Sequence, residues 1–242
     1  MASVKAECKG DTARPIRPRD AASLILLRLD SGEHEVLVGR RPPGARFLPG
    51  RYVFPGGALE PGDSRARPAS ELGVDTADLM AVGGNDRRAR SLAMAAVRET
   101  FEETGLLLTK PGDVGPVPSE SWSVMRERGV APALAHLTYV GRAITPVRSP
   151  IRFHARFFVA DARHSSGELG GDSELVDLHW CPVRELTNLP TIAVQSFMLT
   201  HAIAAMTGDA SGPTGKPLFT QRAGQRYIRY DKPRTRKSGR SP

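Results

Sequence analysis

The chain has 242 residues, of which 40% are hydrophobic and 25% are charged, and this length and composition suit one domain with extensions. No apolar run is long enough to span a bilayer and no signal peptide follows Met1, so we expect no membrane contact. The two cysteines, Cys8 and Cys181, lie far apart, which argues against a disulfide framework and favours a reducing, cytoplasmic location.

The predicted elements alternate between strands and helices along most of the chain. Residues 1–19 are polar and aperiodic, which predicts a flexible leader. Hydrophobic patterning predicts strands over 21–29, 34–41, 52–54, 106–108, 135–144, 153–162 and 174–181. It predicts helices over 91–104, 120–128, 183–188 and 192–206, and a short helix over 70–80. This order predicts an α/β domain over 20–206, with a mixed sheet between helices.

The net charge of +8 is concentrated in the last part of the chain, which we treat as a basic C-terminal tail over 207–242. Residues 216–242 carry nine basic residues and one acid, Asp231, so the rest of the chain is formally neutral. Such a tail is typical of a solvated, poorly ordered terminus. Contact with RNA, with an anionic membrane, or with the substrate of the neighbouring subunit in a homodimer is the alternative. Any nucleic-acid binding is expected through this tail.

The helix predicted over 91–104 carries an unusual acidic face. Glu99, Glu102 and Glu103 share one side of it, and Gly105 follows where a left-handed residue would end the helix. Like charges at this spacing destabilise a helix unless they are solvated or neutralised. A solvated surface is one interpretation, and a site for a hard divalent cation such as Mg²⁺ is the other.

A Gly/Pro-rich turn upstream favours the second interpretation. The turn over 54–63 together with the run Arg98-Glu99-x-x-Glu102-Glu103-x-Gly105-Leu106 resembles the signature box of the Nudix hydrolases. Gly57 matches the first glycine of that pattern, and Asp63 stands where its first glutamate belongs. Asp63 precedes Arg98 by 35 positions where the pattern has 8, so a 27-residue insertion over 64–90 interrupts the box.

The resemblance implies a Nudix-type α/β/α sandwich that hydrolyses a diphosphate within a nucleoside diphosphate-linked small molecule. It implies Mg²⁺ or Mn²⁺ held by Glu99, Glu102 and Glu103, which would neutralise the diphosphate and lower the pKa of water. The carbonyl of Gly56 or Gly57 is a further ligand, since glycine allows close backbone approach. We assign Gly57 to the metal and Gly56 to the substrate.

Three residues are candidates for catalysis. Arg98 lies four residues before Glu102, so it can pair with this carboxylate and orient it, although an ordinary helix ion pair is the alternative. Glu99 is the first choice for general base by its position in the box. Glu174, beside a Gly-rich loop that also holds Glu168, is the second choice, and a surface carboxylate is its alternative interpretation.

The residues before the turn suggest a substrate. Arg41, Arg46 and Phe54 match a motif of the coenzyme A diphosphatases, and residues 47–57 resemble the peroxisomal branch, which also carries an insertion in its box. The resemblance therefore implies coenzyme A or acyl-coenzyme A as substrate. Arg41, Arg46 and Arg51 would contact its phosphates, unless they form a solvated basic loop.

Two other functions remain open from the sequence. The protein could be a pyrophosphatase for ADP-ribose or dinucleoside polyphosphates. It could instead belong to another class, as a non-catalytic Nudix-like nucleotide sensor or RNA-binding protein. The intact Glu99, Glu102 and Glu103 argue against loss of catalysis.

Overall fold

The computed structural model describes residues 16–74, 76–170 and 174–232. Within them the strands are β1 (Arg19–Asp30), β2 (Glu33–Arg40), β3 (Tyr52–Val53), β4 (Gly56–Ala58), β5 (Thr109–Pro111), β6 (Val130–Pro132), β7 (Thr138–Ile144), β8 (Phe153–Asp161), β9 (Val176–Pro182), β10 (Lys216–Arg222) and β11 (Gln225–Asp231). The helices are α1 (Thr76–Leu79), α2 (Asp86–Thr104), α3 (Glu120–Glu127) and α4 (Ala193–Thr207). Short 3₁₀ turns cover Pro61–Ser64, Leu134–His136, Ala162–His164 and Val183–Asn188.

One mixed sheet organises the structure, in the order β11–β10–β7–β8–β1–β2–β3. β4 pairs with β1, and β9 pairs with β2. β1 runs parallel to β8 and β10 runs parallel to β7, whereas β1–β2 and β7–β8 are antiparallel. β5 and β6 form a separate two-stranded sheet.

The two faces of the sheet are covered by different helices. Leu24 and Leu26 of β1 belong to the core that contains α2, and Ile25 and Leu27 belong to the core that contains α4. This alternation follows from the two-residue period of a strand that is buried on both faces. The predicted α/β/α sandwich with a mixed sheet is confirmed.

Helix α2 has strong local signals at both ends. Its N-cap is Asn85, whose side-chain oxygen accepts a hydrogen bond from the Arg88 N–H at 2.9 Å, so the helix begins five residues before the predicted start. Gly105 ends it in the left-handed conformation, with φ of 76°, and donates its N–H to Phe101 O at 2.8 Å. A run of small and apolar residues, Leu92–Val97, is fully buried against the sheet.

The insertion over 64–90 packs into the structure. Its helix is one turn, Thr76–Leu79, rather than the helix predicted over 70–80, and residues from Asp86 onwards begin α2. Ala66, Ala77 and Met80 are buried in the core on the α2 side. The segment therefore covers one end of α2 and does not separate the two halves of the box in space.

The prediction of a tail over 207–242 is wrong for residues 216–231. These residues form β10 and β11, and Phe219 is only 4% exposed because it packs in the core on the α4 side. Arg142 of β7 donates from Nε to the Asp231 carboxylate at 2.8 Å and fastens the hairpin to the sheet. Because residues 216–242 are rich in basic residues, the sequence analysis did not predict the strands β10 and β11 that extend the sheet.

Other boundaries differ by smaller amounts. The strand predicted over 135–144 begins at Thr138, because Leu134–His136 forms a 3₁₀ turn. The strand predicted over 106–108 is reduced to one bridge, between Leu107 and Ser166. Arg19, assigned to the leader, begins β1, and the leader residues 1–15 and the tail residues 233–242 lie outside the described part of the chain. None of the helices in the described ranges is long and apolar enough to cross a membrane.

We predict that Phe219→Ala lowers the free energy of unfolding by about 3–5 kcal/mol, because it leaves a cavity between β10 and α4. The control is Tyr227→Ala on the neighbouring strand, where the side chain is 48% exposed and the expected loss is about 0.5 kcal/mol. Urea unfolding of the two variants measures both values. Equal losses would contradict the packed position of β10.

Candidate active site

The centre of the candidate site is the side chain of Arg98, which is 2% exposed. Its Nε donates to Asp63 Oδ1 at 2.7 Å, and its Nη1 donates to Glu99 Oε1 at 2.9 Å and to Glu102 Oε2 at 2.8 Å. Its Nη2 donates to the Ala58 carbonyl at 3.0 Å. The guanidinium thus joins the turn before the insertion to two carboxylates of α2.

Asp63 occupies the position where the box pattern has its first glutamate, and it contacts Arg98. It is fully buried on the 3₁₀ turn Pro61–Ser64 and also accepts the backbone N–H of Glu60 at 2.8 Å. Burial alone would lower the pKa of Arg98, but the hydrogen bond to Asp63 and the charge of Glu99 raise it above its usual value. Asp63 therefore pairs with Arg98, although its side chain is shorter than that of glutamate and the 27-residue insertion lies between the two residues in the sequence.

The Gly56–Gly57 turn lies directly over the acidic face of α2. The Gly56 N–H donates to Glu103 Oε2 at 2.8 Å. A Cβ on Gly57 would lie 2.5 Å from the Glu99 carboxylate, and one on Gly56 would lie 2.4 Å from the carbonyl oxygen of Ala22. Gly56 requires glycine because a side chain there would meet backbone, whereas a side chain at Gly57 would displace the Glu99 carboxylate.

Burial gives the acidic residues unusual proton affinities. It raises the pKa of Glu99 to about 7, although the charge of Arg98 acts in the opposite direction. It also raises the pKa of Glu103 well above its usual value, against the lowering effect of the Gly56 hydrogen bond. Carboxylates held together out of water are costly unless a positive charge compensates them.

This arrangement fits a divalent cation in its donor chemistry. No group of three or more His, Cys, Asp or Glu side chains in the described ranges is already closed around an ion position. The reason is visible in the contacts, because Arg98 draws oxygens of Glu99 and Glu102 towards itself and Gly56 holds one oxygen of Glu103. Clustered carboxylate oxygens are nevertheless the ligands that Mg²⁺ and Mn²⁺ prefer, and a bound cation would favour their deprotonated form.

A cavity of about 570 Å³ opens beside the acidic cluster. Its polar wall includes Gly56, Gly57, Arg98, Glu99 and Glu102. Its apolar lining includes Phe47, Phe153, Phe157, Val194 and Phe219. The cavity therefore has a charged part and an apolar part, and β10 contributes to the apolar part.

Some of the predicted substrate contacts reach this cavity and others do not. Arg41 lines it, with Nη1 4.0 Å from Glu103 Oε1, and its buried Nε has no hydrogen-bond partner among the described residues. Arg46 and Arg51 have exposed side chains outside the cavity wall, because the loop between β2 and β3 closes on itself through the Arg41 and Arg51 backbones. Glu174 lines the cavity, whereas the exposed Glu168 does not.

Three residues of the site were missed by the sequence analysis. Ser121 of α3 donates its hydroxyl to Glu102, so α3 also orients a candidate metal ligand. Gln195 lies on the first turn of α4 and lines the cavity, and Phe219 was assigned to the tail. Ser121 near the start of α3 offered no distinguishing signal, but the apolar pair Leu218-Phe219 before the Ala223-Gly224 turn could have indicated a strand.

Comparison with known proteins assigns the family. The chain is 30% identical to a Nudix hydrolase of known structure from Alicyclobacillus acidocaldarius, over 83% of this chain and 100% of that one, with a TM-score of 0.63. No family model matches the sequence. The chain belongs to the Nudix hydrolase family.

Curated relatives of the sequence agree with this assignment. The acyl-coenzyme A diphosphatase NUDT19 of Gallus gallus is 30% identical over 137 residues, covering 42% of this chain and 36% of that protein. The putative nudix hydrolase 7 of Caenorhabditis elegans is 35% identical over 94 residues, covering 39% of this chain and 24% of that protein. The chain thus spans about a quarter to a third of these relatives. The predicted resemblance to the coenzyme A diphosphatase branch is confirmed.

We predict that Asp63→Ala lowers the free energy of unfolding by about 3–5 kcal/mol, because it leaves the buried Arg98 charge without its main partner. The matched control is Asp113→Ala, which breaks the exposed ion pair with Arg67 and should cost about 1 kcal/mol or less. Chemical unfolding curves of both variants give the comparison. A loss as small for Asp63 as for Asp113 would refute the role of the buried pair.

Proposed function

We propose that the protein is a divalent-metal-dependent diphosphatase that cleaves coenzyme A, acyl-coenzyme A or a related nucleoside diphosphate derivative. The observation that carries the proposal is the buried Arg98, which holds Glu99 and Glu102 beside the Gly56–Gly57 turn. Such a rigid acidic cluster next to a cavity suits a reaction whose transition state gathers negative charge.

The residues that would hold Mg²⁺ or Mn²⁺ are Glu99, Glu102 and Glu103, with the carbonyl of Gly57. When bound, the metal would neutralise charge on the diphosphate and lower the pKa of water. Arg98 and Ser121 keep Glu102 oriented, which is the work of groups that surround metal ligands.

The substrate side of the reaction requires a cation and a base. Arg41 lines the cavity, and its guanidinium would bind a phosphate oxygen. Water attacks phosphorus, the bond to the bridging oxygen breaks, and a carboxylate accepts the proton of the water. Glu99 is the proposed base by its position in the box, and Glu174 on the cavity wall is the second candidate.

Two observations favour a coenzyme A-type substrate. Relatives by sequence carry the name acyl-coenzyme A diphosphatase. The wall of Phe47, Phe153 and Phe219 also offers an apolar surface to the part of the substrate beyond the diphosphate. The methyl and methylene groups of a pantetheine arm, or an acyl chain on it, would bury apolar surface there, whereas the second ribose of ADP-ribose would lose hydration.

Three expectations stay predictions. These are a homodimer, a cytoplasmic location, and nucleic-acid contact through the basic residues of 216–242.

We predict that the wild type with Mg²⁺ or Mn²⁺ hydrolyses coenzyme A faster than ADP-ribose or a dinucleoside polyphosphate. Glu103→Gln should lower kcat/KM by roughly 10²–10³-fold, because it removes one charge from the cluster. Glu127→Gln on the exposed end of α3 is the control and should leave activity unchanged. Product analysis by chromatography measures these rates.

Each contrary result has a distinct meaning. Rapid turnover of ADP-ribose with coenzyme A at background would exclude the proposed substrate. Full activity in Glu103→Gln would exclude the metal-ligand assignment. No turnover of any diphosphate by the wild type would favour a non-catalytic nucleotide sensor.

A further inference from the structure

Gln195 is a buried polar residue on the wall of the cavity, with only 6% of its surface exposed. Its side-chain oxygen accepts a long hydrogen bond of 3.4 Å from the backbone N–H of Phe54. A backbone N–H can only donate, so this contact directs the amide oxygen towards Phe54 and the amide nitrogen away from it. The Nε2 group has no hydrogen-bond partner among the described residues. It is left as a donor on the cavity side.

The first turn of α4 adds further donors at the same place. Ala193 and Val194 line the cavity, and no hydrogen bond from either N–H is present in the described part of the chain. Ile192 at the N-cap supplies no side-chain acceptor. The N-terminus of a helix has unpaired N–H groups and a partial positive charge, so this turn favours a hydrogen-bond acceptor.

The surroundings of this turn restrict what the acceptor can be. Phe219 packs on Phe197, one turn further along α4, with ring centroids 5.3 Å apart. Phe54 contacts Gln195 through its backbone N–H. A phosphate placed among these rings would lose its hydration, and the desolvation of a full charge is far more costly than that of a neutral carbonyl. A neutral carbonyl oxygen on an apolar chain would accept a hydrogen bond here without that cost.

We propose that Gln195 and the first turn of α4 form a specificity site for a neutral amide or thioester carbonyl on the arm of the substrate beyond the diphosphate. This inference rests on the proposed diphosphatase function and adds the residue that selects the arm. A group without a carbonyl oxygen at the same position would leave the Gln195 amide nitrogen without an acceptor, and unpaired donors weaken binding strongly. Gln195 is thus a specificity-determining residue, separate from the acidic cluster.

The test is a calorimetric titration of the full chain, in Mg²⁺, with two half-substrates. One is 4′-phosphopantetheine, which carries two amide carbonyls, and the other is adenosine 3′,5′-bisphosphate, which carries none. Gln195→Met keeps the side-chain length and removes the donor. It should raise the Kd for phosphopantetheine by about 3- to 10-fold, the loss of one neutral hydrogen bond, and leave the Kd for the bisphosphate unchanged.

Two further variants keep the test decisive. Gln195→Leu removes the amide donor with an apolar side chain that adds no charge, so it should also weaken phosphopantetheine binding and leave the Kd for the bisphosphate unchanged. Gln225→Met, at an exposed position on β11, is the matched control and should change neither Kd. Thermal unfolding of each variant establishes that the fold is kept.

Three results would overturn the inference. The first is no binding of phosphopantetheine to the wild type, and the second is a Kd for phosphopantetheine that is the same in the wild type, Gln195→Met and Gln195→Leu. Equal weakening of both half-substrates would show that Gln195 acts through Phe54 on the whole site, or that it binds a phosphate. Gln195-dependent binding without any hydrolysis of coenzyme A would refute the proposed function alone. Hydrolysis of coenzyme A with Gln195-independent binding would refute this inference alone.

Discussion

The structure depends on one buried cation. Arg98 is almost completely removed from water, and a buried charge is tolerated only when its donors are paired. The four groups that accept from it come from three pieces of chain: the Ala58 carbonyl after the glycine turn, Asp63 at the start of the insertion, and two carboxylates of α2. The same contacts that stabilise the fold therefore set the positions of Glu99 and Glu102. A substitution that breaks these contacts would therefore change both the stability of the fold and the positions of the candidate metal ligands.

The cavity joins this charged cluster to a part of the chain that is distant in sequence. β10 pairs with β7, which brings Phe219 to the apolar part of the cavity. α4 packs on the same face of the sheet and supplies Gln195. The acidic cluster and the proposed arm-binding residues thus line one cavity.

The sequence predicted what is encoded locally. The acidic face of α2, its Gly105 cap and the glycine turn are patterns within a few residues, and they identified the family and the candidate metal ligands. Contacts between residues distant in sequence could not be predicted, since no residue near Asp63 indicates that Asp63 contacts Arg98 across the insertion. Composition also led to a wrong prediction. The basic residues around Phe219 suggested a tail, whereas Phe219 packs in the core and belongs to a strand. The sequence also did not show that Arg46 and Arg51 lie outside the cavity lining, because their loop folds back on itself and leaves them exposed.

The most direct measurement of the central claim is Mn²⁺ binding, followed by electron paramagnetic resonance, in the wild type and in Arg98→Lys. Lysine keeps the charge but has neither the planar fork nor the reach to hold two carboxylates and Asp63 together. If Arg98 arranges the ligands, Mn²⁺ affinity falls by about 10- to 100-fold in the variant, as expected for loss of a group that orients metal ligands. An unchanged Mn²⁺ affinity in a folded Arg98→Lys protein would contradict the account.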